Sequence, residues 1–222
     1  KKGQVEQVNN GEVQQEEKEQ PKLKIVNQNS KSRPYAVMIN NNHAAWPQCG
    51  IGDAYIVYEI VAEGGITRMM ALYKDQDTAK IGSIRSARHY FLDYALENDA
   101  IYVHYGWSPQ AQSDISSLGV DNINGIYESE SAFWRVDDKY APHNAVTSTK
   151  DILEIADRKG YRVDKEKDNV LNYVVAEVNL EDGKIADDVV IPYSDYNEVE
   201  YIYDEDLKEY VRYSRGEKQV DW

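Results

Sequence analysis

The sequence predicts a mixed α/β N-terminal domain followed by a smaller, antiparallel β-rich C-terminal domain. Three observations carry this prediction. Between residues 34 and 163, strand-length apolar runs alternate with stripes at helical spacing. From residue 164 the helical spacing stops, and short runs alternating apolar and polar residues follow one another between turn residues. A chain of 222 residues is long enough for one large core or two small ones.

Residues 1–33 are rich in Gln, Glu, Lys and Asn and almost free of apolar residues. Such a segment cannot bury enough surface to offset its ordering entropy, so it reads as a solvated, disordered tether. PYAVMIN (34–40) opens the first domain as a buried strand. AYIVYEIV (54–61) and TRMMALY (67–73) follow as a hairpin around Glu63-Gly64-Gly65, because a Gly pair between apolar runs marks a tight turn. A two-residue loop at Gly64 and Gly65 pairs Val61 with Arg68. It puts Glu59 and Arg68 on one face at a diagonal position, as an ion pair. In 86–98, Ala87, Tyr90, Phe91, Tyr94 and Ala95 form a core-facing helical stripe. AIYVHY (100–105) is the next strand. Ser108 caps a helix with Pro109 at its first position, ending near Gly119. Residues 128–146 read as a long irregular loop, a kind of segment that often carries function. A helix over 147–160 is capped by Ser148 and closed by Gly160. Beyond it, the runs at 170–180, 186–194, 198–206 and 208–216 read as antiparallel strands.

The formal charge is −14. Residues 164–222 hold 7 basic against 17 acidic side chains, so the second domain is the most acidic part. An acidic chain is a poor ligand for nucleic acid, whose phosphates must be neutralised by Lys and Arg, and it is repelled by anionic lipid. The single Cys49 allows no intramolecular disulfide and no cysteine-based zinc site, and reads as a small buried thiol. The sequence holds no HExxH, GxSxG, Walker loop or GxGxxG, so zinc-protease, serine-hydrolase, ATP and dinucleotide chemistry lack support. No cofactor is predicted. A divalent metal held by distant His and carboxylate residues is left open without any spacing signal. The 18 Tyr and 4 Trp, against 2 Phe, suit half-wet grooves and interfaces.

The candidate chemistry gathers in a few places. KIGSIRSAR (80–88) leads into the predicted helix with Arg85 and Arg88 in its first turns, where the helix dipole disfavours cations. A bound anion would resolve that conflict, and so would a structural carboxylate. Glu59, mid-strand in an apolar run, needs a partner, and Arg68 is the obvious one. Glu63 in the turn is either simple turn chemistry or a ligand contact. His43 follows the first strand and His104 ends the strand 100–105, a common place for ligands in α/β sheets, while His143 lies in the irregular loop; any one His is more often packed or superficial. FWRVDDKYAPHN (133–144) offers Arg135, His143 and Asn144 beside Phe133 and Trp134, either as a groove or as a loop anchor.

Four stretches together resemble one family: 37–73, with EGGITR; KIGSIRSARHYF (80–91); AIYVHYGWSP (100–109); and FWRVDDKYAPHN (133–144). They are similar to the YerB-type bacterial lipoproteins, whose domain of unknown function is called DUF3048. The matching positions are Glu59, Glu63, Gly64, Gly65, Arg68, Arg85, Arg88, His104, Gly106, Pro142, His143 and Asn144. Asn40-Asn41 stand where the family often has Asp-Asn, and Trp46 where it often has Arg, which weakens any role for that first loop. His43 matches no family position. The resemblance implies an exported lipoprotein of Gram-positive bacteria, held at the extracellular face of the membrane by a lipid anchor that this chain does not contain. It implies a two-part architecture, the domain 34–163 and a C-terminal domain from 164 whose last strands lie beyond Trp222, with the tether 1–33 ahead of them. It supplies no reaction.

The expected site is a polar cleft for an anionic ligand. Arg68, Arg85, Arg88, Arg135, Asn144 and Glu63 are the candidate ligand-binding residues, and His104, His143 and Glu59 the candidate catalytic ones. The expected partners are a cell-envelope glycan, a phosphate-containing polymer or an envelope protein. The alternatives are a scaffold lipoprotein without chemistry, and a phosphoryl or glycosyl transferase or hydrolase acting on envelope polymers.

Overall fold

The computed structural model describes residues 27, 29–173 and 182–222. Most of the expected tether, and residues 174–180 of the strand expected over 170–180, lie outside these. The first domain is built on a five-stranded sheet. Its strands are β1 (Tyr35–Ile39), β2 (Ile56–Val61), β3 (Thr67–Tyr73), β5 (Ile101–His104) and β6 (Asn122–Asn124), in the order β2-β3-β1-β5-β6. β1 pairs β3 antiparallel and β5 parallel, and β5 pairs β6 parallel. The strand alternation divides the core. Val37, Ile39, Met69, Ala71, Tyr73 and Val103 face one side. There they pack on Ile152, Ile155 and Ala156 of helix α3 (Thr149–Arg158). Ala36, Met38, Met70, Leu72 and Tyr102 face the other. They meet Leu92 and Ala95 of α1 (Leu92–Glu97) and Ala111 and Ile115 of α2 (Pro109–Ser117). A small antiparallel sheet of β4 (Ile81–Gly82), β8 (Ala145–Thr147) and β7 (Trp134–Arg135) lies within segments that carry no strand signal in the sequence.

The caps follow the sequence. Ser108 Oγ accepts from Ala111 N at 3.2 Å, and Ser148 Oγ accepts from Asp151 N at 3.1 Å. Two expectations need correction. The first is the hairpin register. Ala62 N donates to Ile66 O, so the loop is the three residues Glu63–Gly65, with Gly64 and Gly65 at φ 69° and 75°. Val61 therefore pairs Thr67, and Arg68 lies opposite Ile60. One residue of slip moves a side chain to the other face of a strand, so Glu59 and Arg68 point to opposite sides and form no pair.

The second correction concerns the helix expected over 86–98. Only Leu92–Glu97 is α-helical, after a 3-10 turn at His89–Phe91. Residues 83–88 run extended between the ends of β1 and β5. Arg85 N donates to Met38 O, Tyr105 N to Arg85 O, and Ala87 N to Gly106 O. These backbone groups would otherwise be buried without partners, and satisfying them outweighs local helix preference. Of the expected stripe, Ala87, Phe91 and Ala95 are fully buried, whereas Tyr90 is half-buried and Tyr94 exposed.

The second domain is the antiparallel sheet β9 (Asp188–Ser194), β10 (Asn197–Asp204), β11 (Glu209–Ser214) and β12 (Glu217–Lys218), in the order β12-β11-β10-β9. It docks on the β2–β3 edge of the larger sheet. Arg212 Nη2 lies 2.9 Å from Glu59 Oε2, and Asn197 Nδ2 donates to Thr67 Oγ1 at 3.2 Å. Arg33 N donates to Val163 O, and Lys165 N to Lys31 O, so residues 31–33 are bound to the folded domain.

Candidate functional site

The parallel strands β1, β5 and β6 end on the same side of the sheet, where chain segments diverge and leave a crevice. An open cleft of about 470 Å³ lies there. It is lined by Arg85 from the extended segment, Tyr105 and Trp107 after β5, Asn124 and Tyr127 at and after β6, and Arg135 from β7. Gly125 is required at its edge: a Cβ there would come within 2.4 Å of Phe133 and 2.6 Å of Tyr105. Arg135 Nη1 donates to Asn144 Oδ1 at 2.6 Å, and its guanidinium carbon lies 5.3 Å from the centre of the Tyr105 ring. Asn144 is itself buried and donates to Val136 O and Lys139 O, so it positions Arg135 rather than facing the cleft.

Arg85 is the distinctive group. It is half-buried, yet among the described residues it has no hydrogen-bond acceptor and no ion-pair partner in contact. Burial, then the neighbouring Arg88, pull its guanidinium below its ordinary range. Arg68 and Arg88 share a single carboxylate. Arg68 Nη2 reaches Glu63 Oε2 at 3.1 Å, and Arg88 Nε bonds Glu63 Oε1. Arg68 Nη1 also donates to Ser86 O at 2.9 Å. Burial, helped by Arg88 and opposed by Glu63, brings Arg68 down to about 10, still charged at neutral pH. Burial alone would raise the Glu63 carboxyl, but the hydrogen bond from Arg88 and the charge of Arg68 hold it below the usual carboxylate range. Three guanidinium groups and one carboxylate leave two positive charges in a chain of net −14.

His143 adjoins this cluster. Asn40 Oδ1 accepts from Asn42 N, which turns the Asn40 amide so that its Nδ2 donates to His143 Nδ1 at 2.9 Å. The His143 proton is thereby placed on Nε2. Burial and the charge of Arg85 lower its pKa, keeping the ring neutral. His104 is elsewhere. It is 0% exposed inside the α1–α2 face, with Nδ1 donating to Gly106 O at 2.8 Å and Nε2 3.2 Å from the Asn122 amide. Burial lowers its pKa to about 4. Glu59 is also apart, bound to Arg212 and accepting from Thr67 Oγ1 and Asn41 Nδ2.

The structure thus brings Arg85, Arg135, His143 and the Arg68–Glu63–Arg88 cluster to one end of the sheet. It does not bring His104 or Glu59 to them. Trp107, Tyr127 and Asn124 line the cleft and were not singled out by the sequence. Trp107 had a signal, as the one Trp just past a predicted strand end; Tyr127 and Asn124, in a polar stretch, had none. Cys49 is a buried free thiol, raised to about 11 by burial. Among the described residues, no group of three His, Cys, Asp or Glu could hold a metal ion, and no helix is long and apolar enough to cross a membrane.

The sequence profile described as "Protein of unknown function (DUF3048) N-terminal domain" matches residues 22–162. The chain belongs to the DUF3048 family. It is 38% identical over 200 residues to "Putative lipoprotein YerB" of Bacillus subtilis (strain 168), an alignment covering 87% of this chain and 59% of that protein. The crystal structure of Bacillus subtilis YerB superposes with a TM-score of 0.75 over 86% of this chain and 63% of that one. This DUF3048 chain therefore spans about three fifths of the length of its relative. The mixed sheet followed by an antiparallel one is the architecture the two share.

Proposed function

We propose that this chain is the ligand-binding part of an exported, lipid-anchored lipoprotein of a Gram-positive cell envelope, and that its cleft binds an anionic envelope ligand. The lipoprotein part is supported by the name of the Bacillus subtilis relative. The observation that carries the ligand part is Arg85, a half-buried guanidinium without an acceptor beside two others that share one carboxylate. Its guanidinium faces the water of the open cleft rather than a protein acceptor, and an anion there would take charge-assisted hydrogen bonds from it. Arg135 lies across the same cleft and would take a second oxygen.

Binding without bond cleavage is favoured over hydrolysis or group transfer. Glycoside cleavage needs two carboxyl groups flanking the sugar, and among the described residues no carboxylate lines the Arg85 cleft. His143, a neutral Nε2–H donor, adjoins the arginine cluster but does not line that cleft. A scaffold role has one observation in its favour, the tie of Arg68 and Arg88 to Glu63. The test is thermal unfolding in pyrophosphate at constant ionic strength, for wild type and Arg85→Gln. Stabilisation of about 2.7 kcal/mol at a hundredfold excess over Kd is expected for wild type and none for the variant. Equal behaviour of the two proteins would leave the scaffold reading.

A further inference from the structure

The Arg85 cleft does not end at its own rim. A second open cavity of about 520 Å³ adjoins it, and the two share Trp107, Asn124 and Tyr127. Each is of the size that holds a small-molecule ligand, and together they form one groove with a waist. The chemistry changes along it. Among the described residues, the first basin holds Arg85 and Arg135 and no carboxylate. The second, among the described residues, is lined by neutral hydrogen-bonding groups, including Gln112, Ser116 and Asn122, and by one ion pair, Glu128 with Lys159, with Arg158 also on Glu128. At the waist the rings of Trp107 and Tyr127 stand 5.9 Å apart and 56° from parallel. Tyr127 is 71% exposed.

We propose that this groove binds an acidic oligosaccharide. Its carboxylate or phosphate sits against Arg85, one sugar ring lies on the Trp107–Tyr127 waist, and a neutral sugar occupies the second basin. The inference rests on the anion reading for its first basin and adds the second. Tilted rings present two apolar faces to the C–H surface of a sugar, whereas a flat base is better held between parallel rings. The net charge of −14 disfavours a ligand with a negative charge on every unit, and the second basin, whose two lining charges Glu128 and Lys159 are paired with each other, suits one that is acidic only in places. A peptide added as a strand is also disfavoured. The open edge of β6 in the second basin is closed by Tyr161, whose hydroxyl accepts from Asn122 N and donates to Asn122 O at 2.9 Å.

The test is an array of neutral oligosaccharides and their carboxylate- or phosphate-bearing counterparts, probed with wild type, Arg85→Gln and Tyr127→Ala, beside pyrophosphate titrations of the same three proteins. Tyr127 is exposed enough that its truncation leaves the fold intact. Wild type is expected to retain acidic oligosaccharides at least about tenfold better than neutral ones. Tyr127→Ala should lose that binding about tenfold while keeping pyrophosphate, and Arg85→Gln should lose both. Retention of no acidic oligosaccharide by wild type, or equal retention by Tyr127→Ala, overturns the oligosaccharide proposal. If pyrophosphate binding still depends on Arg85, the anion reading survives that result. If pyrophosphate binds Arg85→Gln and wild type alike, the anion reading falls and the oligosaccharide proposal with it.

Discussion

Three arginines within one cluster have different work to do, and their contacts separate them. Arg68 and Arg88 are held by Glu63 and by backbone carbonyls, so replacing either with Gln breaks bonds that the fold uses. We expect Arg68→Gln to lower unfolding stability by about 1–3 kcal/mol in urea titration. Arg85 has no such bond to lose, and Arg85→Gln should leave stability within about 0.5 kcal/mol while removing anion binding. His104 makes a second prediction. Its pKa of about 4 lies below the unfolded value near 6.5, so the unfolded chain takes up the proton first as pH falls. Stability is therefore full at pH 7 and is lost through the window from about 6.5 to 4, by about 2 kcal/mol at pH 5. His104→Asn should flatten that part of the pH profile of the melting temperature; an unchanged profile would show that His104 is protonated in the fold. Arg85 and Arg88 were legible from sequence as cations at an expected helix start, although the α-helix begins only at Leu92, whereas Tyr127 and Asn124 carried no signal. The pairing was not legible, because which of three arginines one carboxylate satisfies depends on a hairpin register.

The elements that came through from sequence are those whose signal is local. β1, β3 and β5 are continuous apolar runs, and α2 and α3 carry their own caps. β4, β6 and β7 are two or three residues long, too short for any period to show, and they exist only because neighbouring strands pair with them. The helix start misread at residue 86 has the same origin. The helical stripe opens at Ala87, but the backbone of residues 83–88 is claimed by β1 and by the segment after β5. The hairpin register slipped by one because the sequence marks the Gly pair but not whether Glu63 joins the loop. The cleft depends on these short pieces. Gly125→Ala forces a methyl group into Tyr105 and Phe133, so it should cost about 1–3 kcal/mol and weaken pyrophosphate binding by displacing Tyr105. Unfolding and pyrophosphate titration of that variant check both effects, and a variant unchanged in either would mean that Gly125 does not set the cleft edge.

At the scale of the whole molecule, charge is partitioned. The acidic second domain docks through Arg212 on Glu59, with Asn197 on Thr67 beside it, while the unneutralised guanidinium cluster remains on the first domain. The Glu59–Arg212 pair is largely buried, so Glu59→Ala strands Arg212 and should cost roughly 3 kcal/mol, separating the unfolding of the two domains into distinguishable calorimetric transitions. A single unshifted transition would mean that the pair does not join them. The most direct test of the central claim is the set of arginine side-chain Nε–Hε signals in a ¹⁵N-labelled chain titrated with pyrophosphate. The account predicts a large, saturable shift of the Arg85 signal, with Arg68 and Arg88 moving far less because Glu63 already holds them, and no such shift in Arg85→Gln. Equal small shifts of all three, rising with ionic strength and never saturating, would contradict it.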